Sequence, residues 1–206
     1  MSPPDRIYDR DSTYGKRRLR AAYMLRLLIL LIITGALPAC GKVDVKWREE
    51  VRLASGEVIF VARRAEGKRL GEIGGSGGWE ATRMTLEIDQ PKRPANPPVW
   101  SDRWVPMLFD FDPDTKEWFL VATFYTCTDW YDLGRPKLPY VQYRTRNGRW
   151  EQVPLDTKLF GRPANLLTGV NAGGEPRLVS IEAKERRDGD ADKTFLRIVD
   201  VWRTSC

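Results

Sequence analysis

In Val43-Asp44-Val45-Lys46-Trp47-Arg48 every second residue is apolar, and after Glu49 the same phase resumes at Val51 and Leu53. A period of two sends alternate side chains to opposite faces of an extended chain, so this segment reads as a half-buried strand. Ala54-Ser55-Gly56 then supplies turn residues before Glu57-Val58-Ile59-Phe60-Val61, and the two runs together predict a hairpin. Further along, Met84, Leu86 and Ile88 alternate with Arg83, Thr85, Glu87 and Asp89. The same period places Val105, Met107, Phe109 and Phe111 on one face. Trp118-Phe119-Leu120-Val121-Ala122-Thr123-Phe124-Tyr125 is apolar on both faces, as expected of a strand in the middle of a sheet.

Tyr140-Val141-Gln142-Tyr143-Arg144 and Trp150-Glu151-Gln152-Val153 flank Asn147-Gly148, a dipeptide that readily takes the two positive φ angles of a type I′ turn. Leu178–Ala183 and Phe195–Val201 bracket Asp188-Gly189-Asp190 and read as a last hairpin. The glycine run 71–78, the proline-stiffened run 91–98 and residues 162–176 are not strands. No long 3.6-residue stripe with caps follows residue 40, and only short helical turns are expected around 157–168. The expected class is all-β, an antiparallel two-layer sandwich or a strongly curved barrel-like sheet, after an N-terminal signal helix.

The composition suits such a core: 206 residues, 42% hydrophobic, with 8 Trp, 7 Tyr and 7 Phe. Histidine is absent, which excludes Ser-His-Asp and Cys-His nucleophilic machinery, His-ligated zinc and imidazole bases. The formal charge of +6 is uneven along the chain. Residues before 40 carry 7 Lys+Arg and 3 Asp+Glu, a net +4, so only +2 belongs to the rest. Nucleic acid is therefore not an expected partner.

The leader gives the clearest address. Lys16-Arg17-Arg18-Leu19-Arg20 precedes an apolar run of 11 residues, Leu27–Leu37. That is far short of the roughly 20 a spanning helix needs and suits the core of an export signal. Leu37-Pro38-Ala39-Cys40 resembles the lipobox of bacterial lipoproteins, although Pro38 departs from the usual Ala or Ser. The resemblance implies a diacylglycerol on Cys40, cleavage before it and acylation, including palmitate, of the new amino terminus. Gly41 stands where an inner-membrane retention signal would carry Asp, so the implied location is the periplasmic face of the outer membrane. Met24 is an alternative start. The expected organisation is 1–39, a cytoplasmic extension and lipoprotein signal peptide, then 40–206, a single all-β domain.

If Cys40 is lipidated, Cys127 and Cys206 remain. In an oxidising periplasm they are a candidate disulfide closing about 80 residues and contributing roughly 4 kcal/mol. Two separate free thiols are the alternative. The chain after Cys40 also resembles a group of uncharacterised proteobacterial lipoproteins, through Val45-Lys46-Trp47-Arg48-Glu49-Glu50-Val51 with Gly56 and Ile59, Gly134-Arg135-Pro136 with Pro139-Tyr140-Val141, and Gly148-Arg149-Trp150. That resemblance implies no activity.

Candidates for chemistry are few. Asp110–Glu117 and Asp188–Asp192 gather carboxylates, but they lack the glycine and glutamate of a calcium loop and read as polar turns, so no metal is expected. The glycine run has no Gly-Lys-Ser/Thr ending, and no cofactor is expected. No catalytic residue stands out. Trp79, Trp100, Trp104, Trp130 and Tyr131 lie in or near expected loops, and of these Trp100, Trp104, Trp130 and Tyr131 are the candidate binding residues, for a protein loop or a sugar face. Core-capping side chains beneath long loops are the competing reading of these aromatics. Arg135, Asn147 and Asn165 are further polar groups in loops. The expected function is a non-catalytic binding or envelope-associated module, anchored to the membrane through Cys40, with an envelope protein or glycan as partner. The alternatives are a carboxylate-dependent hydrolase of envelope glycan and an immunity-type inhibitor of a periplasmic toxin.

Overall fold

A computed structural model describes residues 41–70, 78–90, 96–124, 126–187, 193–203 and 206. The leader, Cys40, most of the glycine run and Asp188–Asp192 lie outside the described residues. The rest is an all-β sandwich of two sheets with no closed barrel.

The first sheet holds β1 (Lys42–Arg52), β2 (Val58–Leu70), β3 (Gly78–Ile88), β4 (Trp100–Asp102) and β9 (Leu178–Val179), in the order β4-β3-β2-β1-β9. β1 and β2 pair antiparallel from Lys42↔Lys68 to Arg52↔Val58, around the expected turn. Val43, Val45, Trp47 and Val51 are buried while Lys42, Asp44, Lys46, Arg48 and Arg52 are exposed, as the period of two requires. β9 pairs parallel with β1 over two residues only.

The second sheet runs β5 (Val105–Asp112), β6 (Glu117–Thr123), β7 (Tyr140–Arg146) and β8 (Arg149–Val153), an antiparallel meander. Asn147 and Gly148 have φ of 51° and 72°, the paired positive angles expected of this hairpin. β6 lies between β5 and β7, and its two faces enter two different cores. Leu120 and Ala122 meet Val45, Trp47 and the rest of the first sheet's inner face. Phe119 and Val121 point the other way, to a second cluster with Tyr140, Leu159 and Ile198.

That second cluster exists because the chain after β8 folds back over the sheet. Gly161 N–H donates to Ile198 O (2.8 Å), Ile198 N–H to Arg162 O (2.9 Å) and Ala164 N–H to Leu196 O (2.8 Å), a short antiparallel ladder. Tyr140 Oη fastens it, donating to Arg197 O and accepting from Val199 N–H, both at 3.0 Å. A 3-10 turn at Thr157–Leu159 falls where short helical turns were expected.

Three local expectations are corrected. β5 does not keep one phase: a bulge between Pro106 and Leu108 leaves Met107 and Leu108 both on the second core, and Val105 and Phe109 on the first. The Met107 carbonyl, freed by the bulge, accepts from Asn165 N–H and Leu166 N–H. The last hairpin is absent. After β9 the chain forms α2 (Ile181–Arg187) and then α3 (Lys193–Leu196), with Arg197 in an isolated bridge to Pro163. Ser180 explains the switch, because its Oγ accepts from Ala183 N–H and the run Glu182–Arg187 consists of helix formers with basic residues in the last turn. The remaining helix, α1 (Cys127–Asp132), was not anticipated.

Where β2 and β3 twist past each other, the register shifts between Glu66 and Gly67. A Cβ built on Gly67 would stand 2.3 Å from Glu80 O and 2.7 Å from the Trp79 ring. Gly67→Ala is therefore expected to destabilise the protein by about 1–3 kcal/mol through overpacking. A urea midpoint unchanged from wild type would refute this.

Candidate binding site

The four aromatic candidates do not form one surface. Trp100 is 1% exposed, edge-on to Tyr143 at 5.5 Å between centroids, and Trp104 is 7% exposed, against Phe124 at 6.2 Å. Both belong to the core between the sheets and offer no contact area, because β4 and the start of β5 bring them inward. Trp130 and Tyr131 sit on α1, with centroids 5.1 Å apart. Tyr131 is 49% exposed, and the Arg135 guanidinium lies 5.1 Å from its ring. Trp130 donates through Nε1 to Pro136 O (3.1 Å) and packs against the core edge.

α1 buries no residue of its own. Thr126 caps it, accepting from Asp129 N–H at 3.1 Å and donating to the Asp129 carboxylate at 2.9 Å. Cys127 joins it to Cys206 in a disulfide, with Cα atoms 5.4 Å apart, so the expected pairing is met. Tyr131 Oη also donates to Cys206 O (3.4 Å).

The polar chemistry gathers elsewhere, around the end of β1. Glu49, fully buried on the inward phase of β1, receives Arg63 Nη1 on Oε1 and Leu167 N–H (2.8 Å) on Oε2. Lys184 Nζ from α2 stands 3.5 Å from the same Oε2 and donates to Glu50 O and Asn165 O. Burial pushes the Lys184 ammonium below its ordinary pKa, with the Glu49 carboxylate opposing. The Arg63 guanidinium also lies 5.0 Å from the Trp47 ring.

Asp110, almost wholly buried on β5, accepts from Ala54 N–H, Phe111 N–H and Arg162 Nη2. This clamps the β1–β2 turn of one sheet onto a strand of the other. Asn165 completes the clamp: its side chain accepts from Phe109 N–H (2.9 Å) and donates to Phe109 O (2.8 Å) and Arg52 O (3.1 Å). Asn165 is thus a structural bridge whose amide is engaged on both sides, and Asn147 is an exposed turn residue with positive φ.

Two cavities flank the clamp and share Leu53 and Ala54. One, of about 430 Å³, has Arg52 and Arg162 among its walls. The other, of about 500 Å³, reaches Asp110 and Trp118. A third hollow of about 650 Å³ lies along Lys46, Arg48, Arg64 and Arg177. Arg48 is paired with Asp89, and Arg64 with Asp44 and Glu66.

The acidic run Asp110–Glu117 spans the end of β5, the turn at Pro113–Lys116 and the start of β6. Asp112 accepts from Asp114 N–H (3.0 Å) and receives Arg144 Nη1 (2.8 Å). The hydrogen bond from Arg144 lowers the Asp112 pKa to about 2, from an ordinary value near 3.8. Because the folded value is the lower one, the stabilisation is complete above about pH 4 and is lost as pH falls towards 2. Arg144→Met should remove about 1 kcal/mol at pH 7 and flatten the stability profile in that window. Unfolding curves at pH 2.5 and 6 that keep the wild-type difference would contradict it.

Asp110 and Asp112 belong to the run read from the sequence as a polar turn, whereas Glu49, Arg63, Arg144, Arg162 and Lys184 were not singled out as site residues. One signal was present: Glu49 and Arg63 sit on the apolar phase of their strands, where a charge must find a partner. No family model matches the chain, and neither a curated protein nor a solved structure matches it.

Proposed function

We propose that this is a lipid-anchored envelope protein whose β-sandwich is a non-catalytic binding module, held at the periplasmic face of the outer membrane through Cys40. The observation that carries the reading is the Cys127–Cys206 disulfide. Such bonds persist in oxidising compartments and are rare in the reducing cytosol, which agrees with an exported chain. The lipobox resemblance of Leu37-Pro38-Ala39-Cys40 supplies the anchor. β1 begins at Lys42, so Gly41 alone separates Cys40 from the strand, a tether on the order of 7 Å. The module would work at the membrane surface.

Among the described residues, Asp44, Asp112 and Glu182 have lowered carboxyl pKa values, each through hydrogen bonds to its charged form, the opposite direction to the raised acid of a glycan hydrolase.

Cells grown with an alkyne fatty acid should yield labelled protein cleaved before Cys40 in the membrane fraction, and Cys40→Ala should lose both label and fractionation. Unchanged labelling of Cys40→Ala, or an unmodified chain with reduced thiols in the cytosol, would overturn the reading.

A further inference from the structure

The cavity of about 430 Å³ beside the β1–β2 turn falls in the size range of small-molecule sites. Its walls are aliphatic: Leu108, Pro163, Ala164, Leu166, Ile181 and Leu196. No aromatic ring lines it among the described residues, so it has no platform for a sugar face. Its inner polar groups are already engaged. Asn165 is bound on both sides to backbone, and Lys184 holds Glu49 and two carbonyls.

The rim differs. Arg52 is exposed and makes no ion pair or side-chain hydrogen bond with the described residues, although its charge is felt by Glu182. Arg162 gives one Nη to Asp110 and is one-third exposed. Glu185 is the opposing charge at this rim. Two planar guanidinium groups at the mouth of an aliphatic pocket match an oxyanion carried on an apolar body.

We infer that this cavity binds a single alkyl chain ending in a carboxylate or phosphate, with the chain among Leu108, Ala164 and Leu196 and the head between Arg52 and Arg162. The inference deepens the reading of the sandwich as a binding module and rests on it, but it does not depend on the anchor. A site of this kind beside a bilayer would take up detached acyl chains or lysolipid-like anions.

The test uses envelopes from cells making the full chain. They are irradiated with a twelve-carbon fatty acid carrying a diazirine and an alkyne, with the matching alkyl phosphate, and with the matching alcohol. Cross-linked peptides are mapped by mass spectrometry. Light-dependent adducts are expected on residues 52–54 and 162–166 with the carboxylate, the phosphate or both, about tenfold above the alcohol. The more reactive of the two anions identifies the head. Arg52→Gln should lower the yield about tenfold, and Ala164→Trp, which fills the pocket, should abolish it. Alcohol adducts of equal yield, adducts spread over the surface, or a yield unchanged in Arg52→Gln would overturn the inference. Arg52 is exposed, so its variant stays informative even if Ala164→Trp fails to accumulate. Acylation at Cys40 needs no light and maps to another peptide, so failure of the anchor and failure of the pocket are separable.

Discussion

Glu49→Ala will destabilise the protein by about 3–5 kcal/mol, a large share of the 5–15 kcal/mol typical of a folded domain. The carboxylate is wholly buried and is shared by Arg63, Lys184 and the Leu167 N–H. Removing it leaves two buried cations without the carboxylate that they share. The loss should appear as a lower urea midpoint followed by tryptophan fluorescence. The companion experiment tests the cause. Replacing Glu49, Arg63 and Lys184 together by methionine removes every charge from the site, and stability should return to within about 1–2 kcal/mol of wild type. If the triple variant is as unstable as Glu49→Ala, the cost lies in packing and not in orphaned charge.

Cys206→Ser is expected to lower stability by about 4 kcal/mol, because the bond constrains a separation of 79 residues in the unfolded chain. For a domain of this size that corresponds to a melting temperature lower by about 10 °C. The effect should also be local. α1 contributes no fully buried side chain, and its other holds are the Thr126 cap, Trp130 at the core edge with its bond to Pro136 O, the Tyr131 bond to Cys206 O, and ion pairs from Arg103 to Asp129 and Asp132. Amides of Asp129–Asp132 should lose exchange protection in the variant while those of β6 keep theirs. A melting temperature unchanged by Cys206→Ser, or by a reductant on the wild type, would show that the bond adds little.

The strands were legible wherever one face is wet. β1, β2 and β3 alternate over much of their length because one face of each is solvated, and Asn147-Gly148 announces its turn through backbone geometry alone. The helices were not, for two reasons. α1 has no apolar stripe, so its only trace is Thr126-Cys127-Thr128-Asp129, a capping pattern without a hydrophobic run behind it. α2 shares Ile181 and Ala183 with a short alternating stretch, and the decisive groups are Ser180 and the helix-forming Glu182–Arg187. The bulge at Met107 left no mark in composition, since a residue more or less on a doubly buried strand keeps the same apolar character. The misplaced tryptophans have a similar cause. Trp100 and Trp104 stand beside turn-like residues, yet short β4 turns one of them inward and the first core takes both. The buried charges were visible as breaks in phase at Glu49 and Arg63, 14 residues apart on neighbouring strands, but the Leu167 N–H that completes the site lies 118 residues from Glu49, beyond any local pattern.

The double covering of β6 has a kinetic consequence. A strand with hydrogen-bonded neighbours on either side and a core on either face opens only when both cores open. Its amides should therefore exchange at the rate of global unfolding, whereas β9, two residues long at the margin of the other sheet, should exchange through fraying. Deuterium would thus enter in a graded order, from the rim inward, and the last protons retained would mark the centre of the cooperative unit.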